Sequence, residues 1–360
     1  MQTSPDQTFV SDLLSYSYSL GSTILIHKIA NDFTKKSNLF FFRTDIACLN
    51  APTLYGYSSS TDDKYARNIS LAEAVERLAF QSVFFREKLE ENQNQDRCSI
   101  TGTRLLTGVN YSVDSRRALG IDPKYPSTSS GNAIHYDQRE AALNATIELH
   151  ERNVLMYNFY VNRNSPCKID NEEIIQTYEK TFESLDFFGY TVGLYFYHFK
   201  DLPLTCICSI RAKKPTLYPY VLIGTGSSFM PINAMLRAFE EALRMWIFNY
   251  FQSDLKLEMA KQSVDQARHY FNYELGKHLV YFLESGAQTS SKSFVKEPIS
   301  NEKSLFEHYD PICISLLEYK SLKVVRAFSD FCCPLFFGQN LPMFPWQNDR
   351  PSHPLLAHPY

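Results

Sequence analysis

With 360 residues, a net charge of −3 at pH 7 and 44% hydrophobic side chains, the chain has the make-up of a globular protein with a real core. That balance gives no electrostatic reason to expect nucleic acid, and no apolar run approaches the roughly 20 residues that span a bilayer. Met1-Gln-Thr-Ser-Pro-Asp lacks the basic-then-apolar pattern of a signal peptide, so the expectation is a cytoplasmic protein without a membrane partner. The length admits two domains or one large α/β body.

Taken in order, Val10 to Leu20 reads as helical, and Ser22 to His27 and Leu39 to Thr44 read as strands. The Phe40-Phe41-Phe42 run suits a buried strand better than a ligand-binding patch. A first acid-rich helix is predicted from Ser70 to Glu91 and carries Glu73-Ala-Val-Glu76-Arg77. Residues 98–130 look loop-rich, closing in a Ser/Pro/Gly-rich stretch from Pro126 to Asn132. A second helix follows, with Glu140, Glu148, Glu151 and Arg152, and Glu148 to Arg152 repeats the Glu-x-x-Glu-Arg of Glu73 to Arg77. At about 100° per residue, Glu140 and Glu151 fall about 20° apart and Glu148 about 60° from Glu151, so three carboxylates share one sector.

Further on, a helix is expected around Asn171 to Ser184, and strands at Tyr190 to Tyr197 and Leu204 to Ile210. The strand-like Pro219 to Gly224 runs into Gly224-Thr-Gly226-Ser-Ser, read as a flexible turn. A third acid-rich helix from Ile232 to Phe251 puts Arg237 and Glu241 one turn apart on a shared face. A long amphipathic helix (Leu255 to Phe282), a flexible loop at Gln288 to Ser293 and a strand at Leu322 to Phe328 come next. The end, Pro342 through Pro354 and Pro359 to Tyr360, is proline-rich and should be extended. The two Glu-x-x-Glu-Arg copies lie 75 positions apart (148 − 73), a hint of duplication, and no short repeat implies a solenoid.

Eight cysteines (48, 98, 167, 206, 208, 313, 332 and 333) have no C-x-x-C spacing and most sit in apolar surroundings, which predicts reduced thiols rather than disulfides or zinc. A di-iron helix needs Glu-x-x-His, whereas His150 lies two positions from Glu148. No P-loop and no G-x-S-x-G elbow occurs. Three helices bearing acids and arginines are either solvated acidic faces or parts of one site. Carboxylates in such numbers hold hard cations such as Mg²⁺, and interleaved arginines neutralise phosphate oxygens, so the chemistry they suggest together is a metal–nucleotide site.

At these helices the chain resembles the YcaO superfamily, whose members phosphorylate peptide backbone amide oxygens and build azolines, thioamides or amidines. The resemblance runs from about Ser58 to Tyr360, in the paired Glu-x-x-Glu-Arg helices, the Glu140 to Glu148 spacing and the Arg237/Glu241 helix. The family's usual Gly-Lys-Gly is Gly56-Tyr-Ser here, its Gly-containing loop reads Ala-Ile-His135-Tyr136-Asp137, and a common glutamine falls at Arg244.

The resemblance implies an α/β (α+β) YcaO-type fold of pseudo-repeated helix and sheet units around an ATP site. Residues 1–57 would be the N-terminal part of the YcaO body and 58–360 the core with its proline-rich tail, one integrated domain. It implies ATP and Mg²⁺ as cofactors, with Glu73, Glu76, Glu148, Glu151 and Glu241 at the metals. Arg77, Arg152 and Arg237 would meet phosphate, Glu140 would lie at the metal or ribose edge, Ser70 would border the nucleotide, and the Tyr360 carboxylate would assist proton transfer. The implied reaction is a cyclodehydration converting Cys, Ser or Thr of a precursor peptide to an azoline. The alternatives are thioamide or amidine synthesis, or a catalytically idle scaffold subunit. Expected partners are the precursor peptide, a separate E1-like leader-binding subunit, a flavin dehydrogenase and a second copy of the chain.

Overall fold

The computed structural model describes residues 7–49, 51–93, 99–119, 130–162, 164–169, 172–251, 273–289 and 301–332. Its strands are β1 (Thr23–Ile29), β2 (Phe40–Ala47), β3 (Leu54–Ser60), β4 (Ser99–Arg104), β5 (Asn110–Asp114), β6 (Asn132–His135), β7 (Cys167–Ile169), β8 (Tyr190–Tyr197), β9 (Leu204–Ala212), β10 (Val221–Ser228), β11 (Gln288–Thr289), β12 (Ile312–Tyr319) and β13 (Leu322–Phe328). Its helices are α1 (Gln7–Ser19), α2 (Asp32–Lys36), α3 (Asp63–Gln93), α4 (Ser115–Leu119), α5 (Gln138–Met156), α6 (Glu172–Thr177), α7 (Glu179–Phe187), α8 (Pro231–Tyr250), α9 (Tyr273–Glu284) and α10 (Glu302–Tyr309). The described residues form two compact units, one from those up to Leu149 together with Leu305–Cys332, the other from His150–Ser304.

Unit one contains an antiparallel meander, β1-β2-β3, and a five-stranded sheet in the order β5-β4-β12-β13-β6. Helix α3 packs on the meander, and its apolar stripe (Leu71, Ala74, Val75, Leu78) joins Leu13, Ile46, Ala118, Ile314, Leu322 and Val324 in one core. The phenylalanine run lies in β2 as expected, with Phe41 and Phe42 buried. Unit two has the sheet order β10-β9-β8-β7-β11, with β11 parallel to β7. Helix α8 covers it through Ala234, Ala238, Phe239, Ala242 and Trp246, all buried.

One local arrangement occurs in both units. Gly56 in β3 faces α3 so closely that a Cβ would lie 2.0 Å from the Ser70 carbonyl oxygen and 2.6 Å from the Ala74 nitrogen. Gly224 in β10 faces α8 likewise, its Cβ position 2.1 Å from the Ala242 nitrogen and 2.6 Å from the Ala238 oxygen. The offset is 168 in every pair (224 − 56, 242 − 74, 238 − 70). The repeat written in the backbone is therefore strand–glycine–helix, β3–α3 against β10–α8. The 75-residue spacing of the Glu-x-x-Glu-Arg copies falls elsewhere.

Several expectations are corrected. Gly224 to Ser228 form a fully buried strand, not a flexible turn, because the glycines are there to admit α8. The stretch read as loop-rich holds β4, β5 and α4, whose Ser, Thr and Asn content masks a half-exposed hairpin. Asn132 belongs to β6 rather than to the loop before α5, and Gln288–Thr289 to β11 rather than to a flexible loop. Strand β12 is a further element that was not expected, although its Ile312-Cys-Ile-Ser-Leu-Leu-Glu-Tyr run is apolar and β-rich. Of the long helix expected from Leu255 to Phe282, only the part within α9 lies in the described residues; the proline-rich tail, including Tyr360, lies outside them. Cys48, Cys167, Cys206, Cys208, Cys313 and Cys332 are free thiols, as expected.

The close approaches give a test. Gly224→Ala should cost about 3 kcal/mol or more in urea unfolding, since neither helix backbone nor strand can yield. Gly108→Ala, at φ +67 but with nothing within 4 Å of its Cβ position, should cost only about 1 kcal/mol. Equal losses at both positions would rule out steric approach as the role of Gly224.

Candidate functional site: two carboxylate sets

In unit one the glycine contact sets the first carboxylate. Because α3 lies against β3, the Tyr57 N–H donates to Glu73 Oε2 at 2.8 Å. Arg77, one turn along, donates from Nη2 to Glu73 Oε1 at 2.6 Å and from Nη1 to the Tyr55 carbonyl at 2.7 Å. Glu73 is thus held through both oxygens. Glu76, on the next turn, has its carboxyl desolvated and accepts the Ile134 N–H of β6. Burial, then the charges of Glu148 on α5 and of Glu73, push its pKa up to about 8 against the pull of Arg77.

Unit two repeats the geometry with different neighbours. The Thr225 N–H donates to Glu241 Oε2 at 2.5 Å, the counterpart of Tyr57 on Glu73 at the same offset of 168 (225 − 57, 241 − 73). The Thr225 hydroxyl donates to Glu151 Oε1 at 2.6 Å and accepts from Arg152 Nη1 at 3.1 Å. Arg152 also lies 3.4 Å from Glu151 and 3.8 Å from Glu241. Arg237 donates to the Ser227 carbonyl at 3.1 Å. Burial raises the Glu151 carboxyl, with Arg152 opposing and Glu241 reinforcing the shift.

Unit one gathers Glu73, Glu76, Arg77 and Glu148, and unit two gathers Glu151, Arg152, Arg237 and Glu241. Two residues stand apart. Glu140 is exposed on the first turn of α5, its backbone N–H capped at 3.0 Å by Asp137 Oδ1. Ser70 is fully buried, its hydroxyl shared between Thr44 Oγ1 at 2.8 Å and the Arg67 carbonyl at 2.9 Å. His150 is buried and bonds the Pro203 carbonyl at 2.9 Å, a packing role. Thr225 was hidden in what read as a turn, and the Gly-x pair it shares with Gly56-Tyr57 was the one available signal.

A family model described as YcaO cyclodehydratase, ATP- and Mg²⁺-binding, matches residues 101–327, 227 of the 360 positions. The chain belongs to the YcaO family. Three solved structures share its fold. The YcaO protein of Methanopyrus kandleri, bound with AMPPCP and Mg²⁺, is 15% identical at a TM-score of 0.61, covering 89% of this chain and 90% of that one. The Escherichia coli microcin synthetase McbBCD complex with pro-MccB17 bound gives a chain 10% identical at 0.64, covering 94% and 96%. A heterocyclase in complex with substrate and cofactor is 14% identical at 0.61, covering 91% of this chain. The chain spans only 53% of that heterocyclase. No curated protein sequence matches the chain. Among the described residues no helix is long and apolar enough to cross a membrane.

The observed residues fit the cofactors of this YcaO family. Like-charged carboxylates held together under burial are what a divalent cation relieves. Among the described residues no three His, Cys, Asp or Glu side chains form a ready metal cage. Mg²⁺ suits such a setting, because it takes one or two carboxylates and completes its shell with water and phosphate oxygens.

The raised Glu76 carboxyl predicts a pH effect. Between its ordinary 4.5 and about 8 the folded chain keeps a proton that the unfolded chain has lost, so metal-free stability should fall as pH rises through that window. Glu76→Gln should flatten that decline and raise the melting temperature at pH 8 in EDTA by a few degrees. An unchanged slope would show that Glu76 is ionised throughout.

Proposed function

We propose that this YcaO-family chain is an ATP- and Mg²⁺-dependent cyclodehydratase that converts Cys, Ser or Thr of a precursor peptide to a thiazoline or oxazoline. The observation that carries this reading is the doubled carboxylate set. Each unit holds half-buried or buried glutamates, one of them fixed by a strand N–H, with arginines beside them.

The magnesium ions, when bound, neutralise the charge on the phosphates and so favour transfer of the γ-phosphoryl group to an amide oxygen. The chain's own residues do the holding. Glu73, Glu76 and Glu148 are assigned to one set of metal contacts and Glu151 and Glu241 to another, directly or through water. Arg77, Arg152 and Arg237 would meet phosphate oxygens, where preorganised guanidinium forks outperform a mobile point charge. Glu140, exposed at the start of α5, is assigned to the nucleotide's outer edge, and Ser70 braces β2 through its bond to Thr44.

In the peptide, the thiol or hydroxyl attacks the preceding carbonyl carbon, and the carbonyl oxygen takes the γ-phosphoryl group. The oxygen then departs as inorganic phosphate while the amide nitrogen loses its proton and the ring double bond forms. The attacking thiol or hydroxyl gives up its proton as well, so the balance is one peptide and one ATP to azoline, ADP, phosphate and one proton. A separate leader-binding subunit and a flavin dehydrogenase are the partners this reading adds, in line with the multi-subunit assembly of the microcin synthetase neighbour.

Phosphate release from ATP, measured with the chain, a precursor peptide and the leader-binding subunit, tests the proposal. Glu148→Gln and Glu151→Gln should each fold and lose at least about 100-fold of that turnover. Arg237→Lys should lose a similar factor, because an ammonium cannot match the planar fork. Mass spectrometry of the peptide should read loss of water. Replacement of oxygen by sulfur would mean thioamide synthesis instead, and ATP turnover undiminished in both glutamine variants would overturn the metal assignment.

A further inference from the structure

Arg326, on β13, is 7% exposed, and the carboxylate reading does not use it. Its Nε donates to the Ala118 carbonyl of α4 at 2.7 Å and its Nη1 to Asn132 Oδ1 on β6 at 3.1 Å. The guanidinium carbon sits 4.8 Å from the centre of the Phe80 ring on α3. Three elements therefore meet on one side chain, all within unit one. Two of these contacts lead to Glu76. Phe80 is one turn beyond Glu76, and Asn132 is two residues before Ile134, whose N–H Glu76 accepts. Burial lowers the guanidinium's pKa to about 10, where it stays charged at neutral pH, and Glu148 opposes that shift.

An apolar side chain would fill this place without the desolvation that a buried cation brings, so packing alone does not account for an arginine. Lysine would not serve. Only a planar fork donates in two directions while its face covers a ring.

We infer that Arg326 is a positioning residue that ties β6 and α4 to α3 and presents a fixed positive charge to Glu148, holding the unit-one carboxylates in the arrangement that receives a divalent cation. The last clause rests on the proposed function; the pairing with Glu148 does not, and the experiment separates the two.

The first arm uses the full chain without metal or nucleotide. Melting temperatures are measured for wild type, Glu148→Gln, Arg326→Met and the double variant. Arg326→Met alone leaves Glu148 uncompensated, so the double variant should melt higher than Arg326→Met. A Glu148→Gln effect of equal size and sign in both backgrounds would overturn the pairing. Folding of the double variant where Arg326→Met fails would be the same coupling in stronger form.

The second arm uses Arg326→Lys, which keeps the charge and serves if neither methionine variant folds. The Mg²⁺ concentration for half-maximal AMPPCP binding, followed by calorimetry, should rise about tenfold. A merely structural role would lower the melting temperature and leave that requirement at the wild-type value, and that result would overturn positioning. Wild-type chain that binds no AMPPCP at any Mg²⁺ concentration would sink the ATP reading instead, with the first arm still deciding the pairing.

Discussion

The bond from a strand N–H to a glutamate on the following helix is the constraint on which both carboxylate sets depend. It forms only because Gly56 and Gly224 have no Cβ, which lets α3 and α8 settle onto β3 and β10 at backbone contact distance. With the helix that close, Glu73 and Glu241 reach the N–H groups of Tyr57 and Thr225, one residue past each glycine. A side chain at either glycine would lift the helix and remove the carboxylate's anchor before it touched the carboxylate itself. Packing and site geometry are one constraint here.

Given that anchor, electrostatics differ between the units. In unit one the crowding falls on Glu76, which burial and two neighbouring carboxylates push toward neutrality, while Arg77 is bound to Glu73 and to a carbonyl. In unit two a hydroxyl carries the connection: Thr225 bonds Glu151 and Arg152 at once, so the buried carboxylate and its cation are fixed through one side chain. Buried acids with incomplete neutralisation cost stability in the absence of a cation, and that cost is the physical sign of a site whose ligands arrive later. The YcaO family is described by such ligands, ATP and Mg²⁺, which is where sequence pattern and electrostatics meet.

The sequence by itself determined the acid-rich helices and the family. Glu-x-x-Glu-Arg at Glu73 and Glu148, and Arg237 with Glu241, are helical spacings, and a helix's periodicity is local enough to survive without a fold. The strands Tyr190–Tyr197 and Leu322–Phe328 were legible for the same reason, with dense β-branched and aromatic residues. What only the tertiary structure decided is which groups meet. Gly224-Thr-Gly226 reads as a turn until α8 is seen lying on it, because glycine signals either flexibility or close approach, and only the neighbour tells which. Glu140 shares a helical sector with Glu151, yet it is exposed while Glu151 is buried, since angle around an axis says nothing of depth along it. Asn132 and Arg326 carry no motif at all, and Thr225 only the glycine before it. Their roles come from contacts across 74 residues to Glu151, and across 194 residues between Arg326 and Asn132, and such separations leave no periodic trace in a single sequence.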